Sequence, residues 1–301
     1  ISPFMLQNVF QCFFVTAERP KLGLTVIVLA GVTNMILDFL FIAVFGWGLA
    51  GAAFATVCGE CVGGLLPLVY FGRKNASPFR LGKTKLYWNI LGKTCTNGSS
   101  ELMTNLSSSI VNTLFNFQLM HFAGEDGVAA YGTLMYVNFI FVAIFLGYSI
   151  GSAPIVSYHY GARNSEELKN LLTKSLKMIG VWSVALFALA QLIASPLARI
   201  FVGYDPNLFD LTRHGFRIFF LAFLVNGFNI YGSSFFTALN NGLLSALISF
   251  LRTLVFQIAS VLLLPMIFGI DGIWGAVFVA EILTLCVTII CLAKKQKVYH
   301  Y

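Results

Sequence analysis

Charge is what this chain lacks. Of its 301 residues only 10% are Asp, Glu, Lys or Arg, against 58% apolar, whereas soluble domains carry about 25% charged residues. Nineteen basic and twelve acidic side chains cannot clothe a water-facing surface of this size. A soluble enzyme, a disordered chain and a nucleic-acid-binding protein are thereby excluded. Histidine and cysteine are also sparse, at four and six residues. His121, His159, His214 and His300 stand far apart, and no Ser/His/Asp grouping or metal-ligand spacing occurs, so neither catalysis nor a resident cofactor is expected. Cys58-Gly59-Glu60-Cys61 has the C-x-x-C form but lies in an apolar run without a second pair. Gly46-Trp47-Gly48-Leu49-Ala50-Gly51 has the form G-x-G-x-x-G, yet no strand precedes it, and nucleotide binding is not expected. The chain opens at Ile1 without an initiator Met, a basic leader or a cleavage site, and reads as a fragment.

What is present is a succession of long apolar runs. A bilayer core of about 30 Å takes about 20 helical residues to cross, and the charged and Gly/Pro-rich breaks define nine such runs: 1–17, 22–45, 49–71, 98–122, 128–157, 178–198, 214–239, 243–268 and 272–293. The alternation of a transmembrane barrel is missing, so the fold expected is an all-α, polytopic helical bundle. Fifteen of the nineteen basic residues fall in alternate loops: Arg19 and Lys21; Arg73, Lys74, Arg80, Lys83, Lys85 and Lys93; Arg163, Lys169, Lys174 and Lys177; Lys294, Lys295 and Lys297. The positive-inside rule makes that side cytoplasmic, C-terminus included. The segment 73–97, with Asn75, Ser77 and Pro78, is the expected boundary between a partial lobe (1–72) and a complete one (98–301).

The chain also repeats itself. Phe13-Phe14-Val15-Thr16-Ala17 echoes Phe235-Phe236-Thr237-Ala238, and Phe45-Gly46-Trp47-Gly48-Leu49-Ala50-Gly51-Ala52-Ala53-Phe54 echoes Phe268-Gly269-Ile270-Asp271-Gly272-Ile273-Trp274-Gly275-Ala276-Val277-Phe278, at separations of 221 residues at Thr16/Thr237 and 224 at Gly51/Gly275. Copies six spans apart cross the membrane in the same direction, as in parallel transporter repeats. Spans four to six then lack partners, which would lie before Ile1. The expected parent has twelve helices in two lobes of six.

Charges inside apolar spans cost about 2.5 to 3.5 kcal/mol each and call for a partner or a function. Five qualify: Asp38, Glu60, Glu101, Arg252 and Glu281. Asn34 and Asp38 share a helix face one turn apart, and Thr56 lies on the next span. The three offer an amide, a carboxylate and a hydroxyl, which suit a monovalent cation such as Na⁺ or a proton at Asp38; the alternative is interhelical hydrogen-bond glue. Glu101 opens a polar stripe with Asn105, Ser108, Ser109, Asn112 and Asn116. That stripe either lines a cavity binding a proton or cationic substrate, or packs against Arg252 or Glu281. For Arg252 and Glu281 themselves the choice is between the same substrate or proton site and a structural ion pair. Glu60 suits a close helix contact as well as a role in transport.

Arg19-Pro20-Lys21, Asn34 to Asp38 and Phe45 to Thr56 together resemble helices four to six of the multidrug and toxic compound extrusion (MATE) transporters. Gly127-Val128-Ala129-Ala130-Tyr131-Gly132 and Gly151-Ser152-Ala153-Pro154 through Gly161-Ala162-Arg163-Asn164 resemble helix eight and the loop after it. The resemblance implies a two-lobed, cation-coupled antiporter of the cell (inner) membrane, monomeric, exporting small organic and mainly cationic molecules against Na⁺ or H⁺. In one branch of the family a cation site uses an Asn and an Asp on helix five, a Thr on helix six and an Asp on helix one. Asn34, Asp38 and Thr56 match the first three. Other members use a carboxylate on helix seven, where Glu101 falls. The competing expectation is a flippase of lipid-linked oligosaccharide or a polysaccharide exporter of the same superfamily.

Overall fold

In hydrocarbon no water is available to the backbone, so a lipid-embedded segment must close its hydrogen bonds within itself. The computed structural model describes residues 2–74, 77, 79–82 and 85–299, and every regular element among them is helical. Asn75, Pro78, Lys83 and His300 lie outside the described residues. Among the described residues, seven helical segments are long and apolar enough to cross a bilayer: Pro20–Val44, Gly48–Gly72, Ser99–Gly161, Ser165–Val202, Pro206–Ala238, Gly242–Phe268 and Ile270–Gln296. The chain divides into two compact units, Ile1–Leu86 and Tyr87–Tyr301.

The first unit holds α1 (Ser2–Thr16), α2 (Pro20–Asp38) with a π-helical turn at Phe39–Val44, and α3 (Gly48–Gly72). At 15 residues, α1 is shorter than the expected span of 1–17 and falls short of the length needed to cross. It closes in a Schellman cap: Arg19 N donates to Phe14 O at 2.8 Å and Glu18 N to Val15 O at 3.1 Å, with Glu18 in the left-handed region at φ 58°. Pro20 then starts α2, where its missing N–H is harmless. Along α3 the small residues Gly51, Ala55, Gly59 and Gly63 recur every fourth position and are all buried. They let helices approach closely, the usual source of cohesion where lipid is as apolar as leucine. Phe10, Phe14, Ala17 and Phe71 form the core of this unit.

The second unit runs α4 (Trp88–Asn97), α5 (Ser99–Gly161), α6 (Ser165–Val202), α7 (Pro206–Phe219), a 3₁₀ turn at Phe220–Ala222, α8 (Phe223–Ala238), α9 (Gly242–Phe250), a π-helical turn at Leu251–Phe256, α10 (Gln257–Phe268) and α11 (Ile270–Tyr299). A straight α5 would be about 95 Å long, three bilayer cores. It is broken at Gly124, whose φ of 63° and ψ of −150° lie outside the helical region, so it makes two segments, 99–123 and 125–161. The segment 73–97 is not wholly a linker. Its last ten residues are α4, tied to the second unit by Asn97 Nδ2 donating to Thr237 O at 3.2 Å.

Two helices start earlier than their apolar runs. α6 begins at Ser165 rather than 178, because the Asn164 side chain caps Glu167 N at 3.1 Å and Glu166 and Glu167 favour the first turn. α7 begins at Pro206 rather than 214, within the expected loop Arg199 to Arg213. Asp205 accepts from Asn207 N at 2.8 Å and Leu208 N at 3.3 Å, and Pro206 sits at the first helical position. The core of this unit gathers around α7 and α8, with Phe216, Phe220, Phe223, Phe235, Phe236 and Trp274 at most 1% exposed.

The repeat is written in the backbone. Glu18 and Asn240, 222 residues apart, both take φ 58°, and Gly46 and Gly269, 223 apart, take φ 69° and 58°. Asn240 closes the same Schellman cap as Glu18: Asn241 N donates to Phe236 O at 2.9 Å and Asn240 N to Thr237 O at 3.0 Å. The corners after α1 and α8 therefore share one cap geometry, while those after the π turn of α2 and after α10 share a left-handed glycine but differ in their backbone hydrogen bonds and in the second left-handed glycine, Gly48.

Candidate functional sites

In the first unit Gly59 brings α3 against the α2 face that carries Asn34. A β-carbon on Gly59 would stand 2.9 Å from Asn34 Cβ and 3.0 Å from Ala30 O, and one on Gly51 would stand 2.9 Å from Phe41 Cβ. These two contacts fix the antiparallel register and set Asp38 level with Ala55, beside Thr56. The Asn34 Nδ2 is buried with no hydrogen-bond partner among the described residues. Asp38 is half-buried, and among the described residues no ion pair engages it. Thr56 is exposed and its hydroxyl donates to Ala52 O at 2.9 Å, which leaves oxygen lone pairs but turns the group onto its own helix. Asp38 and Thr56 thus fall at one level of the α2–α3 pair, with Asn34 one turn away against Gly59.

Asp38 is also the last α-helical residue before the π turn Phe39–Val44. A π turn inserts one residue and shifts the following side chains around the axis, and such turns are frequent at functional sites. Beyond it, Phe41 and Trp47 stack at 5.0 Å and 15° and Phe41 O accepts from Trp47 N at 2.9 Å, fixing the corner around Gly46. Glu60, half-buried, stands next to Gly59 in this small-residue segment of α3.

The second unit holds a buried polar network. Arg252, in the π turn, meets Glu281 of α11 through Nε at 2.8 Å and Nη2 at 2.8 Å. Arg252 Nη2 also donates to Asn226 Oδ1 at 2.5 Å. Asn229 Nδ2 donates to Glu281 Oε2 at 2.7 Å and to Glu281 O at 2.8 Å, and Thr288 Oγ1 donates to Asn229 Oδ1 at 3.1 Å. Glu281 is 1% exposed and Asn229 fully buried. Buried charge of this kind is tolerated because it is paired and every remaining oxygen is hydrogen-bonded. Asn226, Asn229 and Thr288 are absent from the sequence-based candidates, although the spacing of Asn226 and Asn229 and the seven-residue interval from Glu281 to Thr288 put each pair on one helix face.

Glu101, Asn105 and Asn112 are elsewhere. All three are exposed on the first segment of α5, so the structure does not gather them with Arg252 and Glu281. Their stripe is internally back-bonded. Asn105 Nδ2 donates to Glu101 O at 2.8 Å, Asn116 Nδ2 to Asn112 O at 2.9 Å, Ser108 to Thr104 O at 2.7 Å and Thr113 to Ser109 O at 3.0 Å. Glu101, Asn105 and Asn112 thus form an exposed polar face carrying one carboxylate.

The MatE family profile matches residues 102–263. Among curated proteins, the multidrug export protein MepA of Staphylococcus saprophyticus is 21% identical over 99% of this chain and 64% of its own length. The FAD transporter of Shewanella oneidensis is 24% identical over 91% of this chain and 60% of its own. The chain thus spans less than two thirds of these relatives. Among solved structures, the outward-facing conformation of a multidrug resistance MATE transporter of the MOP superfamily superimposes with a TM-score of 0.91 at 21% identity, covering 98% of this chain and 66% of that one. A MATE protein in complex with MaL6 gives 0.92 at 21% identity, over 98% and 67%.

Proposed function

The chain belongs to the MatE family, whose members are transporters and not enzymes, and on that premise we propose that it carries the coupling and substrate surfaces of a secondary active multidrug exporter. The observation that supports this reading is the Asn34–Asp38 pair. A half-buried carboxylate without an ion-pair partner among the described residues, one turn from Asn34, whose buried Nδ2 has no hydrogen-bond partner among them, precedes a π turn. Na⁺ or H⁺ at Asp38 neutralises the carboxylate, and the π turn is the two-state element that this charge change biases. A cation drives export only by the difference in its affinity for the two states, and substrate and cation then affect each other reciprocally.

The exposed Glu101–Asn105–Asn112 face, with its carboxylate, suits small organic cations, and the MepA relative is a multidrug export protein. Arg252 and Glu281 act as the fixed polar joint of the second unit. The basic ends of the helices face the cytoplasm, and the site of action is the cell membrane, with the chain monomeric.

The reading is checked by reconstituting the expected twelve-helix parent into vesicles and imposing an inward Na⁺ or H⁺ gradient on preloaded ethidium. Expulsion of the dye against its own gradient under one of the two is the expected result. No expulsion under either would overturn it.

A further inference from the structure

A cavity of about 470 Å³ opens at the basic end of the first unit, lined by Arg19, Leu22, Leu66, Val69, Tyr70, Arg73 and Lys74. We propose that it is a binding site for one anionic glycerophospholipid, with the phosphate held by Arg19, Arg73 and Lys74 and an acyl chain on Leu22, Leu66 and Val69. Three features point the same way. First, the polarity is vertical. Arg19 precedes α2 and Arg73 and Lys74 follow α3, at the ends of two segments apolar enough to cross a bilayer, while Leu66 lies seven residues deeper, about 10 Å. That is the step from phosphate to upper acyl chain.

Second, the charge is of one sign. Three cations line the cavity and no carboxylate does, so an organic cation of the exported kind is repelled and an anion is drawn. Third, the floor is apolar and open, with Leu22, Leu66 and Val69 38%, 43% and 48% exposed. A free phosphate would leave that floor empty, whereas a lipid covers it. A groove in the second unit, of about 320 Å³ between α6 and α11, is lined by a single cation, Lys169, and carries no such pattern. Basic pockets between helices at the membrane surface are recognised sites for anionic headgroups, each nearby Lys or Arg adding attraction.

Native mass spectrometry of the purified chain in neutral detergent, titrated with phosphatidylglycerol or phosphatidylcholine, tests the assignment. One retained phosphatidylglycerol is expected, with at least tenfold weaker phosphatidylcholine. Arg19→Gln/Lys74→Gln should lower phosphatidylglycerol affinity by about 25-fold, roughly fivefold per charge. Lys174→Gln/Lys177→Gln, an equal change in net charge on α6, should leave it unaltered. Leu66→Trp keeps every cation but fills the floor and should also release the lipid. Should the double variant fail to fold, Lys74→Gln, beyond the end of α3, carries the same comparison with a loss of about fivefold. Equal binding of the two lipids, full retention by the Arg19/Lys74 variant, equal loss in the α6 variant, or displacement by excess inorganic phosphate would each overturn the proposal.

Discussion

Arg252 and Glu281 are joined twice at 2.8 Å across 29 residues of sequence, and the pair is held by amides from a third helix. Removing one member strands the other in a low-dielectric interior, which costs about 3 to 5 kcal/mol. Glu281→Ala and Arg252→Ala are each expected to lower the melting temperature sharply in detergent. The double variant Arg252→Met/Glu281→Met should recover most of that loss. Additive losses would show that the two charges act independently.

Asp38 should separate folding from transport. Asp38→Asn in the expected twelve-helix parent keeps size but removes the charge, and is expected to cut gradient-driven ethidium efflux at least tenfold while leaving membrane insertion and melting temperature within error. Efflux equal to that of the unaltered protein would mean that coupling lies elsewhere.

Gly59 and Gly72 provide a matched pair on α3. A β-carbon at Gly59 meets Asn34 at 2.9 Å, whereas one at Gly72 meets nothing within 4 Å. Gly59→Ala is expected to destabilise by about 1 to 3 kcal/mol through overpacking, and Gly72→Ala to be neutral or mildly stabilising. Thermal unfolding monitored by size-exclusion chromatography distinguishes the two. Equal responses would contradict the close α2–α3 approach.

Gly124 and Gly132 make a second comparison, this time of backbone conformation. Gly124 sits at φ 63° and ψ −150°, while Gly132 is helical and unobstructed. Gly124→Ala should cost about 1 to 3 kcal/mol and Gly132→Ala should not. If Gly124→Ala were tolerated as well, α5 would not be broken there.

Glu18 occupies a left-handed corner that glycine enters without a steric penalty. Glu18→Gly is therefore expected to raise stability by about 1 kcal/mol, measured as a higher melting temperature, despite the general preference against glycine.

The all-α membrane architecture was legible in the sequence because lipid leaves a chain few alternatives, and the positions of most helices followed from run length alone. The starts of α6 and α7 were not, since their first turns are polar and are set by Asn164 and Asp205 rather than by hydropathy. Nor were the π turns, which arise from packing and leave no composition signal. Asn34 and Asp38 were legible as a pair because both sit on one helix. The network around Glu281 was only half legible: its members come from residues 226 to 288, and periodicity within one helix says nothing about which neighbour it will face. The same ambiguity joined Glu101 to Arg252 on paper, although the folded chain leaves Glu101 exposed and Arg252 enclosed.

The Arg252–Glu281 joint also bears on how the protein is made. Arg252 leaves the ribosome before Glu281, and until α11 is synthesised its guanidinium has Asn226 but no counter-charge. The single span formed by α9, the π turn and α10 must then wait beside the insertion channel, or keep water at the guanidinium, until α11 arrives. Biogenesis of the second unit therefore has a checkpoint at the synthesis of α11, and a chain truncated before Glu281 should be held back and degraded rather than released into the bilayer.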